Sequence, residues 1–187
     1  LAVFETTHKD VSMTDTNAMP DTASFSIIQS KGSLDWSYPP MILASSAVAM
    51  GKDVEIFFTF YGINCLLKDT ARLKVSPVGN PGMPLKSPIG PNWLQTVDWR
   101  FLPDIVWSLP GMTSAATWMF HHTLQKHGQL PFDEMRALCQ ELGVKFTVCQ
   151  MSMELLGYQP EDLIDGLEFA GAATYFAQTP QEQSLFI

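Results

Sequence analysis

Apolar residues in this chain alternate with polar ones, or run together, in a few short stretches, and those stretches predict its elements. Residues 23–29 alternate and then turn apolar, a first strand, followed by the loop Ser30-Lys31-Gly32-Ser33. Pro39-Pro40 sit where a helix begins without losing a needed N–H, so a helix is expected over 41–50, with Gly51 as its stop. Residues 54–60 are nearly all apolar, the pattern of a strand buried on both faces of a parallel sheet. Strand, helix and strand in so short a span make a βαβ unit. A short helix is expected over 62–68. Helices are predicted over 113–127, capped by Thr113 or Ser114, and over 131–142, stopped by Gly143. A strand over 144–149, helices at 150–157 and 168–178, and a last strand over 184–187 complete the pattern. The sum is a three-layer α/β sandwich, flavodoxin-like, with a mostly parallel sheet of four or five strands in one domain over 23–187.

Two stretches break the pattern. Residues 1–22 are polar and unpatterned and read as a disordered arm, with Met13 a candidate start that would leave 1–12 outside the natural chain. Residues 76–112 hold seven of the thirteen prolines together with Trp93, Trp99 and Trp107. A linker is poor in aromatics, so this segment is expected to form an oligomer contact or to cover the active site.

Charge and cysteine usage narrow the function classes. With 11 basic and 19 acidic residues among 187 the net charge is −8, and there is no Lys/Arg cluster, so nucleic acid would be repelled. Three cysteines, an odd count without a CxxC, fit a reducing cytoplasm, and no Cys/His spacing points to a metal. No basic region precedes an apolar core at the N-terminus, and no apolar run reaches the length that spans a bilayer. The expectation is a cytoplasmic protein that binds neither nucleic acid nor membrane.

One residue has a chemical address. Cys149 ends the apolar run 144–148 and opens the helix-favouring stretch 150–156. A thiol at a strand-to-helix junction, beyond the carboxyl end of a parallel strand, meets unpaired backbone N–H groups that favour the reactive thiolate. Ser152 and the backbone of Gln150 and Met151 are the expected donors. Packing alone is the alternative, since free cysteine behaves as a small hydrophobe. Cys65, Tyr61 and Asn64 follow the second strand and share that edge; Tyr61 and Asn64 are candidate pocket residues, whereas packing is the favoured role for Cys65. Cys139 lies on the helix entering the strand, offset from Cys149 by roughly 10 Å along the sheet, so an intrachain relay is disfavoured. Adjacent His121-His122 read as a solvated helix face, the loop 30–33 lacks the spacing of a phosphate loop, and the ten methionines read mainly as core.

The residues around Cys149 resemble a known family. Gly143-Val144-Lys145, then Cys149-Gln150-Met151-Ser152-Met153 and Gly157, are similar to the DsrE/DsrF-like sulfur-carrier proteins, which include the TusD-type sulfurtransferases. Asp162-Leu163-Ile164-Asp165-Gly166 and Gly171-Ala172-Ala173-Thr174-Tyr175 resemble the segment after the active cysteine in one branch, the one with a CxMSM pattern. Phe57 through Gly62, and Ser76 through Pro81, fit the same branch. Over about residues 24–187 the resemblance implies a DsrEFH-like fold, a homo-oligomer (a trimer or a multiple, with a tetramer open), and sulfane sulfur carried on Cys149 without a further cofactor. It implies TusA-like or rhodanese-like carriers, and a heterodisulfide-reductase-like complex, as partners in bacterial sulfur oxidation. Cys65 and Cys139 match no carrier position of that family and stand as secondary thiols of open role. The competing readings are a thiol redox enzyme, which needs a resolving cysteine, and a flavin- or nucleotide-binding module.

Overall fold

The computed structural model describes residues 24–75, 87, 90–97, 103–178 and 183–187. The arm 1–22 and most of 76–102 therefore lie outside the described residues. Five strands, β1 (Ser24–Gln29), β2 (Asp53–Phe58), β3 (Lys145–Cys149), β4 (Glu168–Ala170) and β5 (Gln183–Phe186), form one sheet in the order β4-β3-β2-β1-β5, every pair parallel. The α/β class and the parallel sheet agree with the expectation.

Helix α1 (Leu34–Ala49) and, further along, α5 (Phe132–Glu141) carry the chain from β1 to β2 and from β2 to β3. Between β2 and α5 come α2 (Asn92–Thr96), α3 (Asp104–Trp107) and α4 (Met112–Lys126); α6 (Gln150–Leu156) follows β3, and α7 (Ala172–Gln178) joins β4 to β5. The main core lies on one face, where Ile27, Val54, Ile56, Phe58, Phe146 and Val148 meet Leu34, Tyr38 and Met41 of α1 and Phe132, Met135 and Cys139 of α5. Parallel crossovers keep one hand, so a chain that steps along the sheet on one face must return on the other. The return to β5 is α7, whose Tyr175 packs on the second face.

The second face is polar along most of its length. Ser24, Ser26, Glu55, Lys145, Thr147 and Glu168 occupy its positions, with Thr147 Oγ1 donating to Glu55 Oε1 at 2.5 Å and Lys145 Nζ 2.9 Å from Glu168 Oε2. That exposed ion pair, together with Glu55, holds the Lys145 ammonium above its ordinary range. Apolar residues gather only towards the carboxyl ends of the strands, where Ile28, Phe57 and Cys149 stand with Ala170 and Phe186 in register beside them. The third layer is thin for that reason.

Two expectations are corrected. Helix α1 starts at Leu34, with Pro39 and Pro40 inside it. A proline in a helix frees the carbonyl four residues back, and the Trp36 carbonyl freed by Pro40 is taken by the Gln29 side-chain amide at 3.2 Å. The predicted helix over 168–178 divides at Gly171 into β4 and α7. The outward peptide groups of β3 need partners, and Glu168–Ala170 supplies them in register with Thr147–Cys149. Lesser shifts are that 60–66 is a 3-10 turn beginning at Phe60, and that Gly111, with φ of 90°, caps α4 in place of Thr113 or Ser114. No helix among the described residues is long and apolar enough to cross a membrane.

Two glycines let the loop after β1 press against the turn after β2. A Cβ at Gly32 would lie 1.8 Å from the Tyr61 carbonyl oxygen, and one at Gly62 would lie 2.2 Å from the Gln29 carbonyl oxygen. Because both obstacles are backbone, Gly32→Ala is expected to cost about 1–3 kcal/mol or more, read as a fall in the urea midpoint. An unchanged midpoint would contradict the close approach.

Candidate functional site

Extended backbone at Cys149 passes directly into α6, which makes Cys149 its N-cap residue. The thiol makes no capping hydrogen bond, however, and α6 is only seven residues long. The expectation that helix N–H groups hold the sulfur is corrected here. Side chains alternate across a strand, so Val148 enters the main core while Cys149 turns to the second face. There it joins Phe57 and Tyr175 in a small apolar cluster with Ile28 alongside, and it is only 2% exposed.

Tyr175 completes this cluster. Its ring stacks on Phe57 with centroids 4.3 Å apart, and its hydroxyl hydrogen-bonds to Ser26 Oγ. Burial pushes its phenol up; the Ser26 bond opposes this and the nearby Glu55 adds to it. Burying such a ring stabilises by about 2–3 kcal/mol, and aromatic rings are favourable neighbours for sulfur. Neither Phe57 nor Tyr175 stood out as a site residue in the sequence. The available signals were the period of two along β2, which puts Phe57 and Glu55 on one face, and the lone tyrosine in an alanine-rich helix.

The other candidates separate into rim, support and core. Gln150 and Met151 are exposed on the first turn of α6, Met151 by 64%. Ser152 is fully buried and hydrogen-bonds to Thr59 Oγ1 at 2.9 Å, tying α6 to the end of β2. Tyr61 is 61% exposed on the neighbouring 60–66 turn, which packs against α6. Asn64 accepts a 2.6 Å hydrogen bond from the Tyr158 hydroxyl, so it supports that turn. Phe60, at the start of the turn, has φ of 46°, a left-handed conformation that is strained for an aromatic residue.

Cys65 and Cys139 belong to the main core, and neither joins the cluster around Cys149 as a secondary thiol. Both lie in the main core, with Cys65 Sγ 3.8 Å from the Lys31 carbonyl and Cys139 Sγ 3.4 Å from that of Met41. Burial pushes the Cys65 thiol up to about 12, against the opposing charge of Arg136, and the Cys139 thiol up to about 11. Arg136, which sequence reasoning missed, is buried and donates from Nη1 to the carbonyls of Cys65 and Leu67, each at 2.8 Å. Its signal was faint, a single arginine on the apolar side of α5.

His122 stacks on Trp118, and neither it nor His121 joins the thiol cluster. In the loop 30–33, the Ser30 N–H and hydroxyl both donate to the Ile187 carbonyl, Ser33 donates to Asp35, and Lys31 lies 3.3 Å over the Trp36 ring. Those donors serve the fold. No group of three or more His, Cys, Asp or Glu among the described residues is placed to hold a metal.

Comparison with known proteins finds sequence relatives over most of the chain. The model of the DsrE/DsrF/DrsH-like family matches residues 21–185. The sulfur carrier protein DsrE2 of Allochromatium vinosum is 45% identical over 150 residues, covering 80% of this chain and 88% of that protein. The uncharacterized protein YrkE of Bacillus subtilis is 28% identical over 171 residues, 89% of this chain and 98% of that one. A solved structure, the ychN protein from E. coli, superposes with a TM-score of 0.46 at 11% identity, covering 89% of this chain and all of the other.

Burial of the two core thiols has a consequence at alkaline pH. Their folded values stand above the ordinary 9.0, so their contribution to stability is complete below about pH 9 and is lost as pH climbs towards about 11 and 12. The Cys65→Ala/Cys139→Ala variant should therefore lose less stability than wild type across that range, measured by urea unfolding. Parallel losses would clear these thiols as a cause.

Proposed function

The chain belongs to the DsrE/DsrF/DrsH-like family, and on that premise we propose that it carries sulfane sulfur on Cys149 and passes it between protein thiols. The observation that carries this reading is a thiol at the carboxyl end of its strand, in a small cluster of its own apart from the main core that buries both other cysteines. The Cys149 thiolate attacks the outer sulfur of a donor persulfide, forming Cys149–S–SH and releasing the donor as a thiolate. An acceptor thiolate then attacks that outer sulfur and frees Cys149, with no net oxidation in either step. A redox relay is disfavoured because it needs a resolving thiol on the same face. The identity to a protein named as a sulfur carrier supports the assignment.

The donor and acceptor in this reading are small TusA-like or rhodanese-like proteins, or a heterodisulfide-reductase-like complex, of a cytoplasmic sulfur-oxidation route. Exposed Phe60, Tyr61, Met151 and Leu155 on the two segments flanking the thiol offer such a partner an apolar landing, and the net charge of −8 favours a basic one. A homo-oligomer, a trimer or a multiple, belongs to the same proposal, supported by exposed Trp93, Ile105 and Leu109 in the proline-rich segment.

Incubation with polysulfide should add multiples of about 32 Da to wild type and to Cys139→Ser, and nothing to Cys149→Ser. Equal loading of Cys149→Ser would overturn the assignment. Loaded protein mixed with a TusA-like carrier should transfer that mass, while thiosulfate:cyanide turnover without a partner should be slight. Rapid cyanide turnover by the protein alone would make it a free-standing enzyme instead.

A further inference from the structure

Cys149 is covered where a sulfur donor must reach it. Thiol–disulfide and persulfide exchange require in-line approach to the sulfur, and a thiol 2% exposed does not allow it. Either the whole fold opens or something local moves. The main core over Val148 is thick, with two long helices and their aromatic contacts, whereas the cover on the Cys149 face is α7.

The attachment of α7 is slight. Of its residues 172–177, only Tyr175 is buried, at 1% exposure; Ala172, Ala173, Thr174, Phe176 and Ala177 are all exposed. Tyr175 is held by the Phe57 stack and the Ser26 hydrogen bond, and α7 adds no further buried anchor on that sheet face. Gly171 joins β4 to α7, and a Cβ built there would meet nothing within 4 Å, so no side-chain contact is lodged at this junction. Segments with so few buried contacts open at far lower cost than the global fold.

We propose that Tyr175 is the positioning residue of this site: it latches α7 over Cys149, and release of the Tyr175 ring from Phe57 and Ser26 exposes the sulfur for exchange. The latch rests on the carrier reading for its purpose, since a closed cover shields a persulfide from small thiols and an open one admits a partner's thiolate. It rests on geometry alone for its existence. Loss of the ring removes the stack, the hydrogen bond and the cover together. Tyr175→Phe removes only the hydrogen bond.

The test is alkylation of the native protein by a bulky maleimide, with the rate at each cysteine resolved by peptide mass spectrometry. In wild type, Cys149 should label ahead of Cys65 and Cys139, which become accessible only on global unfolding. Tyr175→Ala should raise the Cys149 rate at least about tenfold and leave the other two unchanged, and Tyr175→Phe should restore a rate within about threefold of wild type. A Cys149 rate indifferent to Tyr175→Ala, or three cysteines labelling together in wild type, overturns the latch. Should Tyr175→Ala fail to fold, amide exchange of wild type decides: residues 172–177 are expected to exchange well before α1 and α5, and exchange in step with them overturns the proposal. Polysulfide loading is weighed on the same samples. Tyr175-dependent labelling without sulfur loading would sink the carrier reading and keep the latch, whereas loading with Tyr175-independent labelling would do the reverse.

Discussion

Strand β3 is pleated, and that simple constraint divides the chemistry of this molecule. Val148 and Cys149 are neighbours in the chain but must face opposite sides of the sheet. One side is a deep core under α1 and α5, and the other is a polar surface with an apolar corner at its carboxyl end. Crossover handedness decides which side is which, because the chain steps from β1 to β4 and returns to β5 by the opposite face. Cys149 is therefore the cysteine whose covering is thin.

The same division explains the silence of the other two thiols. Desolvation among aliphatic and aromatic side chains disfavours the thiolate, so Cys65 and Cys139 are held well above the ordinary range. Arg136 lowers the burden on Cys65 somewhat, but its own charge is desolvated and committed to two backbone carbonyls. It is best understood as a brace for the turn that carries Phe60 and Tyr61. Breaking such a charge-assisted contact would leave buried carbonyls without donors, which costs more than the contact itself contributes.

At the carboxyl edge, several local irregularities serve one end. The glycines at 32 and 62 allow backbone to touch backbone, Gln29 takes up the carbonyl freed by Pro40, and the Thr59–Ser152 pair pins α6 to β2. Each is a fixed contact at the sheet edge where the thiol's strand also ends. The flexible part of the site is left to α7, where a single aromatic side chain carries the attachment.

Much of this was legible along the chain. The alternating and continuous apolar runs marked β1, β2, β3 and β5, and the parallel class followed from the helices between them; Cys149 at a strand-to-helix junction was visible as a pattern of residue types. These are local properties, set by propensity and by the side-chain period. Three features were not local. Pro39 and Pro40 look like a helix start until Gln29 arrives from β1 to satisfy the Trp36 carbonyl. Residues 168–170 look helical beside their alanine-rich successors until the open edge of β3 claims them as a strand. The surroundings of the thiol were misjudged for the same reason: backbone N–H groups were expected, but the side-chain direction set by the pleat brought Phe57 and Tyr175 to the sulfur instead. Sequence determined which cysteine stands at the strand end. Only the packing of distant segments decided which face that cysteine turns to and what covers it.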